Sequence, residues 1–306
     1  MLVNIVLTSG RLQKHNGGAK LYNLLAKLLR EHSYDAYIAT RDGSYARWLV
    51  EHQPVISYKR VEELGDAKVM TGWLATEGLD AVTRGRHFYY FDAELKWTLE
   101  FRKTLDRYLA TDMIAGIATQ SRYIQAWYMA NYGITPTLIN EWSDTNIFYP
   151  DDEKRVEGRI GCMIDGEGAA AMYERLAGEF PGHVVSILGD EQQVADAMRM
   201  VDIFVGLNPG KHPLWGEGCP RTQHEAIHCG CVLVAFDVLG NREYLYDGWT
   251  GVMVGRGDRD GLVAAVRHLL NDKDEKERLR QNGTALAAAL FSDRGKIGLV
   301  RQFLDL

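Results

Sequence analysis

The chain lacks any uninterrupted apolar run near the roughly eighteen residues a membrane-spanning helix needs; the nearest are short, such as Gly230 to Phe236. Its start, Met1-Leu-Val-Asn-Ile-Val-Leu7, has neither a basic region nor a small-residue cleavage site, so it reads as a first strand rather than a leader. Cysteine is scarce. Cys162, Cys219, Cys229 and Cys231 all fall in the second half and form no spaced framework, which excludes a disulfide scaffold and points to free thiols in a reducing compartment, the cytoplasm. There is no low-complexity tract and no short fixed-period repeat, so solenoids and fibrous folds are set aside. No Gly-x-Gly-x-x-Gly follows the first strand, and Gly10 and Gly17 lie too far apart to supply that turn, which argues against a dinucleotide dehydrogenase. Excess positive charge is missing too. The net charge is −6, and residues 1–150 carry 17 Lys+Arg against 16 Asp+Glu while residues 151–306 carry 18 against 25. Broad nucleic-acid binding is therefore not expected.

What remains is a globular composition, 46% hydrophobic and 25% charged, in a chain of 306 residues that is long enough for two domains. Apolar runs and helical spacings alternate. Leu2–Leu7 reads as a strand, followed by a turn-rich stretch ending at Gly17-Gly18 and a leucine-spaced helix over 19–31. Strand signals recur at 34–39, 67–71, 87–91, 113–118 and 137–139, with helix signals at 45–51, 95–109 and 121–132. This alternation predicts an α/β domain with a parallel sheet over residues 1–150. The aperiodic, charged stretch Asp151–Gly158 reads as the linker into a second domain, 151–306. That domain repeats the alternation, with strands at 160–164, 184–188, 201–207 and 232–236 and helices at 168–180, 191–200, 221–229 and 260–270. Residues 274–306 read as helical with a break at Phe291-Ser292-Asp293, the last helix being a candidate to pack back on the first domain. Two such units would face each other across a ligand cleft at the carboxyl ends of their strands.

The densest chemistry lies in Trp215-Gly-Glu-Gly-Cys-Pro-Arg-Thr-Gln-His-Glu225-Ala-Ile-His-Cys-Gly230, a glycine-rich loop running into a helix and then a strand. Pro220 suits a helix start, because the amide it lacks would have no intrahelical partner there. The free N–H groups and positive end of such a helix attract an anion, phosphate above all. Glu217 precedes the helix and Glu225 sits in its second turn, so one carboxylate can lie at each end of a ligand laid over the helix start and accept from paired hydroxyls.

The spacing of Glu217 and Glu225 within Glu-Gly-x-Pro and Glu-Ala-x-x-x-Gly resembles glycosyltransferase family 4 of the GT-B fold, two Rossmann-like domains with a cleft between them. The resemblance continues through Asp237–Glu243, Asp247–Val254, Val201–Val205, Gly17-Gly18 and Ile139–Pro150, and is weakest over residues 40–110. It implies a retaining, metal-independent transfer of a sugar from a nucleotide-diphosphate sugar, with the leaving diphosphate taking the acceptor proton and no cofactor required. By position it implies that Glu225 binds the donor ribose and Glu217 lies at the transferred sugar. Backbone amides of Gly218, Cys219, Pro220, Arg221 and Thr222 fall within the same donor loop, the N–H groups of Cys219, Arg221 and Thr222 lying near sugar and phosphates, and Gly17 and Gly18 approach those phosphates from the first domain. The acceptor, whether glycan, lipid-linked glycan or small molecule, is unnamed.

Two positions depart from that pattern. Asp165-Gly-Glu-Gly168 stands where family members carry an Arg and a Lys for the diphosphate, which leaves Lys211, Arg221, Arg242 or Arg159 as substitutes. Tyr90-Phe-Asp92-Ala-Glu94 stands where a histidine often positions the acceptor, which makes Asp92 the catalytic candidate there. The segment between Leu188 and Val201 is abbreviated where relatives contact the base, so the base is unreadable. His224 and His228, four apart with Cys229 and Cys231 nearby, invite a zinc reading, but a helical pair without a second matched pair more often packs in a core, and no metal is expected. Lys96, Trp97, Phe101, Arg102, Lys103 and Arg107 give a basic aromatic face that is either solvated or a peripheral contact with the inner face of a membrane. A non-catalytic nucleotide-sugar-binding protein, a sugar-nucleotide epimerase and a phosphorylase remain as alternatives on the same scaffold.

Overall fold

The computed structural model describes residues 4–8, 17–72, 74, 82–83, 85–164, 168–209 and 217–306. The chain divides into two compact units, the first formed by Met1–Glu141 with Asp293–Leu306 and the second by Trp142–Ser292. Both are α/β with all-parallel sheets. The division falls at Glu141/Trp142, before the charged stretch Asp151–Gly158, because Trp142 is buried and Ile147 and Phe148 join the core of the second unit. Charge marks the surface here, and burial marks the boundary.

In the first unit, strands β1 (Asn4–Thr8), β2 (Asp35–Thr40), β3 (Val55–Ser57), β4 (Lys68–Thr71), β5 (Phe88–Asp92), β6 (Ile114–Thr119) and β7 (Thr137–Leu138) take the order β3-β2-β1-β4-β5-β6-β7. Every residue of β5, Phe-Tyr-Tyr-Phe-Asp, is buried, the mark of a central parallel strand covered on both faces. Helix α1 (Gly17–Glu31) buries Leu21, Leu25, Leu28 and Leu29 on one stripe. The helices α2 (Tyr58–Glu63), α3 (Leu95–Glu100), α4 (Arg102–Ala110) and α5 (Arg122–Tyr132) follow. The single helix expected over 95–109 is broken at Phe101, whose ψ of 25 departs from the helical value. The helix expected over 45–51 does not form. There the Asn23 side chain donates to Glu51 O (3.0 Å) and accepts from Gln53 N (3.1 Å), and His52 Nε2 bonds Ala46 O (2.9 Å), so bonds to α1 and within the loop hold the segment in a non-helical path.

In the second unit, β8 (Ile160–Cys162), β9 (Val184–Ser186), β10 (Ile203–Gly206), β11 (Val232–Phe236) and β12 (Gly251–Val254) are ordered β12-β11-β10-β8-β9. Helices α6 (Ala169–Glu179), α7 (Glu191–Arg199), α8 (Arg221–His228), α9 (Arg259–Asn271) and α10 (Lys273–Leu290) cover the faces, and α11 (Lys296–Leu304) returns to the first unit. Two apolar clusters, one containing Phe204, Ile227 and Phe291 and the other Val205, Val234 and Leu262, fill the space on the two sides of this sheet.

Candidate donor site

In an open parallel sheet the ligand position is the carboxyl edge where strand order reverses. In the first unit that point lies between β1 and β4, and in the second between β8 and β10. Gly17 and Gly18 open α1 after β1, and the Glu217 loop follows β10, so each glycine loop singled out in the sequence leaves its own sheet at a reversal.

The second-unit loop is held from behind. Glu217 Oε1 accepts from Asn208 Nδ2 at 2.5 Å, which fixes the carboxylate against the end of β10. The Glu217 backbone bridges Leu239, and Gly240 N donates to Glu217 O at 3.1 Å. Only glycine fits at 240, because a Cβ there would lie 2.2 Å from the carbonyl oxygens of both Glu217 and Gly218. Asn241 closes the supporting turn by accepting from Val238 N (3.2 Å) and donating to Phe236 O (2.8 Å).

Pro220 stands one position ahead of the first helical residue rather than within the helix, and no side chain caps α8 there. Its carbonyl accepts from Tyr244 OH at 2.9 Å. Gly218 and Cys219 lead into that helix start and Arg221 and Thr222 form its first turn, so the stretch offers main-chain amides at the positive end of the helix dipole. Glu225 lies on the same helix and is 1% exposed.

Arg221, His224 and His228 of α8 are engaged inward. Arg221 Nη1 donates to Trp142 O at 3.1 Å. His224 Nδ1 pairs with Ser143 Oγ at 2.9 Å and its ring stacks on Phe291. His228 Nε2 meets Phe291 O at 3.1 Å, and burial pushes its pKa down to about 4, so the ring is neutral and donates. Burial raises the thiols of Cys229 and Cys231, the latter to about 12, which keeps them protonated. His224 and His228, four apart on α8, are thus both buried and hydrogen-bonded within the second unit. Among the described residues, the one cluster with metal-ligating geometry is the surface group His268, Asp272 and Glu275.

Of the cations named for the diphosphate, Arg221 and Arg242 meet protein partners. Arg242 forks onto Asp237, with Nε to Oδ1 at 2.8 Å and Nη2 to Oδ2, and this holds the Asp237 carboxyl below its usual range. Arg159 immediately precedes β8, at the amino edge of the sheet and so away from the loop that leaves the carboxyl end of β10. Lys211 and Asp165–Glu167 lie outside the described residues.

In the first unit, Asp92 ends β5 and is 1% exposed. Its Oδ2 accepts from Thr98 Oγ1 (2.5 Å) and Tyr128 OH (2.9 Å), and Oδ1 accepts from Glu94 N (3.1 Å). Burial outweighs these bonds and raises its pKa to about 6. The sequence reading passed over the neighbouring strand end. Thr119 Oγ1, Gln120 Oε1 and Ser121 Oγ are buried there without a hydrogen-bond partner, while Gln120 Nε2 donates to Ala93 O. The signal available is three consecutive polar residues, Thr119-Gln120-Ser121, between an apolar strand and a helix.

Residues 148–272 match the family profile described as glycosyl transferases group 1. A phosphatidyl-myo-inositol mannosyltransferase of Mycolicibacterium smegmatis is 33% identical over 115 residues, which is 37% of this chain and 28% of that relative's length. Among solved structures, Anabaena Alr3699/HepE in complex with UDP and glucose is similar with a TM-score of 0.79 at 15% identity, over 99% of each chain. Sucrose-phosphate synthase from Thermosynechococcus elongatus is similar with a TM-score of 0.74 at 15% identity, over 99% of this chain and 98% of that one. With likeness along almost the whole length, the fold is GT-B, made of two Rossmann-like units.

Proposed function

We propose that the chain is a glycosyltransferase that moves a sugar from a nucleotide-diphosphate sugar to a hydroxyl of a glycan, lipid-linked glycan or small molecule, with retention of configuration and without a metal or other cofactor. The observation that carries this reading is the Glu217 carboxylate, pinned by Asn208 and lying on the turn at Gly240, beside an uncapped helix start whose next turn bears buried Glu225. The profile match over 148–272 covers this same stretch. In this reading the amides of Gly218 to Thr222, Pro220 excepted, stabilise the diphosphate as charge develops on it, and Glu217 accepts from the hydroxyls of the transferred sugar. In this reading Glu225 accepts from the ribose. Asp92, with its oxygens committed to three donors, acts by positioning the end of β5 on the acceptor side. No helix among the described residues is long and apolar enough to cross a membrane. We propose a cytoplasmic enzyme, with Lys96 over Trp97 and Arg102 over Trp127 and Tyr132 as a face for peripheral membrane contact.

A panel of nucleotide sugars tests this directly. The correct donor raises the melting temperature by mass action and is consumed when acceptor is supplied, or slowly by water. Glu217→Gln, which keeps the Asn208 contact possible, is expected to lower kcat by about 100-fold or more at unchanged melting temperature. Retention is checked by the anomeric configuration of the product, and metal independence by full activity in chelator. A second reading, a nucleotide-sugar-binding protein without turnover, draws on the engagement of Arg221 and Arg242 by protein groups. Donor stabilisation with neither transfer nor hydrolysis would select it.

A further inference from the structure

The second unit holds a cavity of about 750 Å³ at the opposite edge of its sheet from the Glu217 loop. Its floor is built from residues that precede strands: Asp202 stands just before β10 and Gly230 just before β11. Its wall is one stripe of α10, where Lys276 and Arg280 lie four apart and face the same way. Arg155 enters from the other side.

Three cations converge there. Lys276 Nζ meets Asp202 Oδ2 at 2.7 Å, Arg280 Nη2 meets Asp202 Oδ1 at 2.5 Å, and Arg280 and Arg155 both donate to Gly230 O. These three side chains are 7–11% exposed and the Asp202 side chain 2%. The floor thus sets three buried positive charges against one buried carboxylate. The lining as a whole is balanced, with Lys273 and Glu157 paired to each other at 2.6 Å, and the two acids that offset the floor stand at the rim. Asp152 pairs with Arg155 at 2.6 Å and Glu277 with Arg280 at 3.0 Å, and their side chains are 87% and 53% exposed. In each pair only the acid is exposed, so it can swing into water and leave the buried guanidinium to another anion. A ligand bearing two negative charges matches the excess on the floor, and two planar guanidinium forks suit the oxygens of phosphate. Pro150, Ala285 and Ala288 give the same cavity an apolar side, with room for more than an inorganic ion.

We propose that this cavity is a binding site for an organic phosphate monoester, separate from the donor site and independent of whether the chain transfers sugar. The phosphate lies against Arg155, Arg280 and Lys276 in place of the rim carboxylates, and the organic part lies along the small residues of α10. Calorimetric titration of the full chain with phenyl phosphate, inorganic phosphate and phenol tests it. Phenyl phosphate is expected to bind more tightly than inorganic phosphate, with phenol not bound. Arg155→Gln should weaken phenyl phosphate by about tenfold or more, the scale of a lost charge-assisted bond. The double variant Asp152→Asn, Glu277→Gln removes only exposed rim charge and should tighten it by about fivefold. An unliganded melting temperature and circular dichroism spectrum like the wild type's would show that each variant is folded. Affinity that ignores all three substitutions would place the anion at the α8 amides instead and overturn the proposal, as would no binding at all. Loss of transfer activity in Glu217→Gln leaves this titration unchanged, so the two readings fail separately.

Discussion

At the residue scale, Asp92 is the titrating group whose position is hardest to explain by solvent contact. Its carboxyl titrates near 6 in the folded chain against an ordinary 3.8, because burial penalises the charged form more than Thr98, Tyr128 and Glu94 N–H support it. A proton is therefore held more tightly in the folded state than in the unfolded one. The stability tied to that proton is fully present below about pH 4 and is lost as pH rises through about 6, by on the order of 3 kcal/mol. Denaturant midpoints measured from pH 4 to 8 should show Asp92→Asn lacking this part of the wild-type decline; two parallel curves would refute the account. The helix start between Glu217 and Glu225 was legible in the sequence because a glycine loop, a proline and a helical stretch fall close together. The burial of Asp92 and the orphaned oxygens at 119–121 were not, since both arise where β5 and β6 pair, far apart in sequence.

At the scale of elements, Glu217 and Gly218 are held by the turn that follows β11. The loop that carries Glu217 rests on the turn at Leu239-Gly240, and that turn is itself closed by Asn241. Leu239 sits at φ 68, an unfavourable conformation for a branched side chain that the surrounding bonds must enforce. Gly240→Ala places a methyl carbon against two carbonyl oxygens at once, so the loop must move away. The expected result is a stability loss of about 1–3 kcal/mol, from overpacking, together with loss of the donor-induced melting shift. Retention of that shift in a folded Gly240→Ala protein would show that the turn does not position the site. Most strands and helices followed from apolar periodicity. The exceptions have physical causes outside any local window. The clamp of Asn23 on residues 51–53 replaces a helix at 45–51, and the α3–α4 break falls at Phe101 within an otherwise continuous amphipathic pattern.

For the whole molecule, the decisive feature is the return of Asp293–Leu306 to the first unit. After α10 the last residues leave the second unit and complete the first, an arrangement suggested by the break at 291–293 but specified by packing. Phe303 meets Tyr89 and Phe91 edge-on at 5.6 and 6.2 Å, and the Gly116 position lies close under the Phe303 carbonyl. Asp305 accepts from Tyr89 OH at 2.9 Å, while that oxygen accepts from Lys68 Nζ at 3.0 Å, so the end of α11 is wired to β4 and β5. The first unit therefore cannot complete its core until the entire second unit has been synthesised. Phe303→Ala should cost about 3–5 kcal/mol, the usual range for emptying a buried aromatic site, and the loss should fall on the first unit alone. Native-state hydrogen exchange distinguishes the units by peptide. Peptides of β4, β5 and β6 are expected to lose protection, while those of β10, β11 and α8 keep theirs. Equal losses across both sets would mean that the two units unfold as one, and that the returning helix serves the whole chain rather than the sheet it covers.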